Sequence, residues 1–263
     1  MRLNSIISGS GGPLLLLHGL FGSSGNWQSI AKRLALSFSV HSLDLRNHGA
    51  SPWFADMSYP AMAADVAEYM RHHGLDRAAL VGHSMGGKVA MELALSTPDI
   101  VASLLVLDIA PSAYDRAHDH ILDGMLAVNI RGLRSREEAD IELSAAIPQP
   151  RVRQFLLTNL RRREDGSYAW RLNLEVVAAA YENLLADVGR GRRSDVAALF
   201  LRGGLSDHIG APEERAIREA FPRARIETVP DAGHWLQADA PDAVVRAVEQ
   251  IAGAPPTGAP PTP

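Results

Sequence analysis

The chain has 263 residues, 46% hydrophobic and 21% charged, the balance of an ordinary globular protein with room for one large domain or two small ones. Its net charge of −4 gives no general pull toward nucleic acid or an anionic bilayer, so neither is an expected partner. It has no cysteine, which excludes disulfides, thiolate-held zinc, iron–sulfur clusters and a thiol nucleophile.

The start, MRLNSIISGSGGP, lacks the apolar stretch of a secretory signal, and the run Leu14–Leu17 is far too short to span a bilayer. The expectation is a cytoplasmic protein, monomer or homodimer, with no membrane insertion. In chain order, Pro13–Leu17, Ser39–Leu45, Ala78–Val81 and Leu104–Asp108 read as strands. Apolar runs without alternation suit strands covered on both faces, as in a parallel sheet. Trp27–Ala35, Tyr59–Met70 and Lys88–Leu95 carry the helical spacing between them. The expected fold class is α/β, a mostly parallel central sheet with helices on both faces.

The pattern changes after Pro111. Ile121–Ile130, Arg136–Ile147, Val152–Arg163 and Leu174–Val188 read as helices, with no strand among them. Residues 112–195 are therefore expected to form an inserted helical cap. Strands at Ala197–Leu201 and Arg225–Val229 then alternate with helices at Glu213–Phe221 and Ala243–Ile251. The expected core is 1–111 with 196–252. Residues 253–263, GAPPTGAPPTP, cannot bury a core and are expected to be a disordered tail.

The sharpest motif is Gly82-His83-Ser84-Met85-Gly86-Gly87, a G-x-S-x-G between a strand and a helix. Gly82 and Gly86 leave room for a cramped turn that lifts the Ser84 hydroxyl clear of the sheet. The helix N-terminus behind it offers free N–H groups and partial positive charge. A nucleophilic serine needs a base, and His234 in Asp231-Ala232-Gly233-His234-Trp235 follows the last strand, at the edge where open α/β sheets bind ligands. The imidazole needs a carboxylate to orient it. Asp108 and Asp207 each stand at the carboxyl end of a strand, and spacing alone leaves both open. The expected oxyanion donors are the backbone N–H groups of Met85 and of Leu20, in His18-Gly19-Leu20-Phe21-Gly22. His18 is expected to brace that loop.

The segments HGLFGS (His18–Ser23), DLRNHGAS (Asp44–Ser51), GHSMGG (Gly82–Gly87), LDIAP (Leu107–Pro111) and AGHW (Ala232–Trp235) together resemble the α/β-hydrolase superfamily, and most closely its YbfF-like esterase branch. The resemblance covers about residues 1–252. It implies hydrolysis of carboxylic esters, a core of mostly parallel strands, a helical cap and no cofactor; short to medium acyl chains are expected. It also implies Asp108 as the acid, because the branch keeps the aspartate of the DIAP segment. Asp207 lies one place past a GxxD count from Gly203 and stays as the alternative acid.

Other features have plainer readings. Arg46-Asn47-His48-Gly49 reads as a bracing loop. His118, Asp119, His120 and Asp123 read as a solvated helix face, so no metal site is expected. Arg161-Arg162-Arg163 reads likewise, and Phe155, Leu156, Tyr168 and Trp170 as packing within the cap, one or two of them lining an acyl pocket. The expected partner is a small-molecule ester. Thioesterase, perhydrolase, acyltransferase or carbon–carbon hydrolase chemistry would use the same residues. A non-catalytic binding protein would have no need of them. Ser84 at the elbow, where haloalkane dehalogenases carry an aspartate, disfavours that reaction.

Overall fold

The uninterrupted apolar runs become strands buried on both faces. The computed structural model describes residues 2–117 and 119–253, so His118 and the proline-rich segment from 254 onward lie outside the described residues. The first half contains β1 (Ser5–Ser8), β2 (Gly12–Leu17), α1 (Gln28–Leu34), β3 (Phe38–Leu43), α2 (Tyr59–His72), β4 (Ala78–His83), α3 (Met85–Ser96) and β5 (Val101–Leu107). An insert follows: α4 (Asp119–Ala127), α5 (Arg136–Ser144), α6 (Pro150–Leu157), β6 (Leu160–Arg162), β7 (Tyr168–Trp170), α7 (Leu174–Ala179) and α8 (Tyr181–Leu185). The chain then returns with β8 (Ala198–Gly203), α9 (Ala211–Ala220), β9 (Arg225–Val229), α10 (Leu236–Asp239) and α11 (Pro241–Ala252).

Seven strands form one sheet in the order β1-β3-β2-β4-β5-β8-β9, parallel throughout except for β1. Period-two alternation sorts β2 between two cores. Leu15 and Leu17 join Leu80, Leu104 and Val106 on the face packed by α2 and α3. Leu14 and Leu16 join Val81, Leu105 and Leu199 on the face packed by residues of α1 and α11. Each fully buried leucine contributes about 1.5–3 kcal/mol by leaving water, which is why both faces of so short a run are apolar. Helix α3 is buried from Met85 to Leu95, so its sequence is apolar almost all round rather than striped.

Two expectations need correction. The edge strand β1 was absent from the sequence reading; its Ile6 and Ile7 are exposed, so no buried stripe betrays it. The insert is not wholly helical. The expected helix Val152–Arg163 stops at Leu157, and Leu160–Arg162 pairs antiparallel with Tyr168–Trp170. The cause is a turn at Asp165-Gly166. Gly166 takes φ +84°, and the Asp165 carboxylate accepts from the Ser167 N–H at 2.9 Å. Leu174–Val188 also divides, with Ala180 between α7 and α8.

Candidate active site

Among the described residues, four that are not glycine have left-handed backbone: Phe21, Asn47, Ser84 and Asp108, with φ from 51° to 65°. Each lies just past the carboxyl end of one of four adjacent parallel strands, β2, β3, β4 and β5. Such backbone costs about 1–3 kcal/mol per residue and persists only where the surroundings enforce it. The strain is therefore concentrated along the edge where the expected site residues gather.

At Ser84 the turn is enforced by crowding. A side chain at Gly82 would meet the Gly86 carbonyl oxygen at 2.3 Å, and one at Gly86 would meet that of Leu17 at 2.4 Å. The Ser84 N–H donates to the Leu107 carbonyl at 3.1 Å, and the Asp108 N–H to that of Leu201 at 2.8 Å, so each turn leans on the next strand. The loop after β2 crosses close to the serine: a Cβ at Gly19 would stand 3.3 Å from that of Ser84. His18 braces this loop. Its Nδ1–H donates to the Gly19 carbonyl at 2.8 Å while Nε2 accepts from the Leu45 N–H at 3.0 Å. Burial lowers the pKa of His18, which suits this neutral form.

His234 sits on the loop between β9 and α10. Its Nδ1 lies 2.8 Å from Asp108 Oδ2. Asp108 is fully buried, and burial alone would raise its pKa; hydrogen bonds from His234, the Ser206 hydroxyl and the Gly203 N–H outweigh that and hold it below the ordinary carboxylate value. The Asp207 side chain is fully exposed, and its carboxylate stands 3.6 Å from His208 Nδ1. The geometry thus brings Asp108, not Asp207, against His234.

Three neighbours of His234 were not singled out in the sequence. His83 is pushed down to about 3 by burial first and then by the other imidazoles, so it is neutral; its Nε2–H donates to the His234 carbonyl at 2.9 Å. Ser206, which stands where a GxxD count would put an acid, donates to Asp108 and lies 3.1 Å from His208 Nδ1. His208 stacks on His234, with ring centroids 3.9 Å apart and planes 16° apart. Only the Gly203 count hinted at Ser206, and nothing in the sequence pointed to His208. Asp108, His208 and His234 bring one potential ligand atom each within 4.8 Å of one another. The Nδ1 atoms of both rings are already engaged, one with Asp108 and the other with the Ser206 hydroxyl.

Ser84, His234, Leu20, Met85 and Asp207 line one cavity of about 630 Å³. Its remaining wall is mainly apolar: Ile109, with Ile121, Val152, Phe155, Leu156 and Leu184 from the insert. Leu156 is buried, and Tyr168 and Trp170, half-buried, pack against the hydrophobic cluster that the insert shares with one face of the sheet. Lys88, one turn beyond Ser84 on α3, also reaches this cavity. It is buried, donates to the Leu185 and Ala186 carbonyls at 3.3 and 2.6 Å, and lies over the rings of Tyr59 and Tyr114. Desolvation lowers its pKa to about 7.

The Arg46–Gly49 loop turns its bonds inward. Arg46 pairs with Asp65 through two bonds of 2.5 and 2.8 Å, and Asn47 holds Phe54 through its side chain. Arg161 and Arg162 carry the exposed positions of β6. Among the described residues no helix is long and apolar enough to cross a membrane.

A family model described as "alpha/beta hydrolase fold" matches residues 12–241. The chain is 40% identical over 240 residues to the sn-1-specific diacylglycerol lipase ABHD11 of Xenopus tropicalis, covering 88% of this chain and 75% of that one. It is 36% identical over 241 residues to the esterase YbfF of Escherichia coli strain K12, covering 90% and 92%. A solved structure titled as a marine microorganism esterase superposes with a TM-score of 0.92 at 39% identity, over 95% of this chain and 99% of that one.

Proposed function

Because the chain belongs to the alpha/beta hydrolase fold family and to its YbfF-like branch, we propose that it hydrolyses carboxylic esters through an acyl-enzyme on Ser84, with His234 as base and Asp108 as the orienting acid. The observation that carries this reading is the 2.8 Å bond from His234 Nδ1 to a buried carboxylate, in the cavity that Ser84 lines. With Nδ1–H given to Asp108, Nε2 is the nitrogen left to accept a proton. Ser84 Oγ attacks the ester carbonyl carbon as its proton passes to His234. The carbonyl oxygen, now an anion, is received by the N–H groups of Met85 and Leu20. The tetrahedral intermediate collapses, the alkoxide leaves with the proton from His234, and an acyl group remains on Ser84. Water then attacks the acyl carbon, giving its proton to His234. Collapse returns that proton to Ser84 and frees the carboxylic acid.

Residues 112–195 act in this reading as a cap that supplies the apolar wall and excludes water. A cavity of about 630 Å³ with aliphatic and aromatic walls suits short to medium acyl chains. The likeness to proteins named diacylglycerol lipases favours a glyceride as a second class of ester. The test is Ser84→Ala assayed on p-nitrophenyl butyrate. Activity should vanish while the circular dichroism spectrum and melting temperature persist, and fluorophosphonate should label the wild type but not the variant. Turnover retained by Ser84→Ala would end the proposal. Thioester, peracid and glyceride panels on the wild type then rank the acyl substrates.

A further inference from the structure

We propose that His208 is a positioning residue that fixes the plane of the His234 ring; this rests on the reading of His234 as the base. The hydrogen bond from Nδ1 to Asp108 orients the ring but is a soft restraint that tolerates tens of degrees off line, so the ring can still rock about its side-chain torsions. Such rocking keeps the Asp108 bond but displaces Nε2, the nitrogen that the proposed mechanism assigns to the serine's proton. The faces of the ring must therefore be held by something else. His83 meets the ring obliquely, at 4.7 Å between centroids and 47° between planes. His208 lies flat on it at 3.9 Å and 16°.

His208 is itself held. Its Nδ1 lies 3.1 Å from the Ser206 hydroxyl, and that hydroxyl donates to the same Asp108 oxygen that holds His234. Its backbone carbonyl accepts from the Tyr114 hydroxyl at 2.7 Å, and that hydroxyl accepts from the Ala110 N–H at 2.9 Å. Ala110 lies two residues past Asp108. The carboxylate bonded to His234 and the ring stacked on it are thus tied to one stretch of chain. A loop histidine that merely capped a turn would have no reason to lie flat on another imidazole. Aromatic pairs of this geometry hold orientation through offset contact of their faces.

The test compares His208→Ala and His208→Phe in the full chain on p-nitrophenyl acetate. A flat ring can stack without the Ser206 bond, so the phenyl group is the conservative replacement. His208→Ala should lower kcat by about three- to tenfold, the range a stacked aromatic pair commands, with KM within about twofold. His208→Phe should recover most of that loss. A His208→Ala enzyme at wild-type kcat overturns the proposal, as does a His208→Phe enzyme as slow as the alanine variant at an unchanged melting temperature. Fluorophosphonate labelling of the wild type separates the two levels. A wild type that resists labelling overturns the hydrolase reading beneath it, whereas a labelled wild type with a fast His208→Ala variant overturns only the positioning role.

Discussion

The carboxyl edge of the sheet and the insert build the same cavity by opposite means. The edge is rigid and polar: four strained backbone turns, a buried carboxylate with three donors, and imidazoles in contact. The insert is mainly apolar where it faces the cavity, Asp115 and Arg151 excepted, and salted with exposed ion pairs elsewhere, such as Arg134–Glu138 and Arg190–Asp187. None of its described non-glycine residues has left-handed backbone. Precise placement is expensive and is confined to the groups that would touch reacting atoms, while the wall needs only bulk and water exclusion.

The contrast can be broken most sharply at the acid. Asp108→Asn should cost about 10³–10⁴-fold in kcat, since the amide favours the wrong imidazole tautomer, while Asp207→Asn should stay within about twofold. Steady-state kinetics on a p-nitrophenyl ester decide it, and equal losses would refute the assignment. Next comes the frame beneath the edge. Arg46→Met leaves the buried Asp65 carboxylate without its partner and should destabilise the fold by about 3–5 kcal/mol in urea unfolding. Arg190→Ala, at an exposed pair of the insert, should leave the urea midpoint unchanged.

Lys88 joins the two regions and gives a pH test. Its folded pKa of about 7 lies below the usual 10.5, so between these values the unfolded chain binds more protons on it than the folded one. Its contribution to stability therefore rises with pH across that window, and the cost of burying the charge is fully felt below it. Lys88→Met should flatten that rise in melting temperature, and an unchanged slope would refute the assignment. The smallest effect is expected at the wall. Phe155→Ala should raise KM for butyryl and hexanoyl esters about two- to fivefold, with kcat for acetyl esters little changed.

Much of this was legible beforehand. The strand–elbow–helix passage around Ser84 is written in glycines whose substitution would collide with backbone, so Gly82 and Gly86 announce the turn. The parallel strands show themselves because burial on both faces demands unbroken apolar runs. Strand β1 escaped because an edge strand with both isoleucines exposed leaves no periodic trace. The β6–β7 hairpin escaped because the arginines of β6 also fit a helix surface, although Asp165-Gly166 carried the turn signal. Spacing could not choose between Asp108 and Asp207, since both follow strands; the resemblance favoured the former, and the φ of +52° that aims it inward appears only in three dimensions. His208 acquires its interest wholly from a ring brought to it from 26 positions downstream.

The end of α8 has one more consequence. The carbonyls of Leu184, Leu185 and Ala186 are taken up by the Tyr59 hydroxyl, the Tyr114 N–H and the Lys88 ammonium, all outside that helix. Elsewhere in the cavity lining, Arg151 and Phe155 of α6 meet Trp235 and Asp239, with the arginine side chain 60% exposed. On warming, the contact of α6 with Trp235, its arginine exposed, should part before the buried clasp on α8 does.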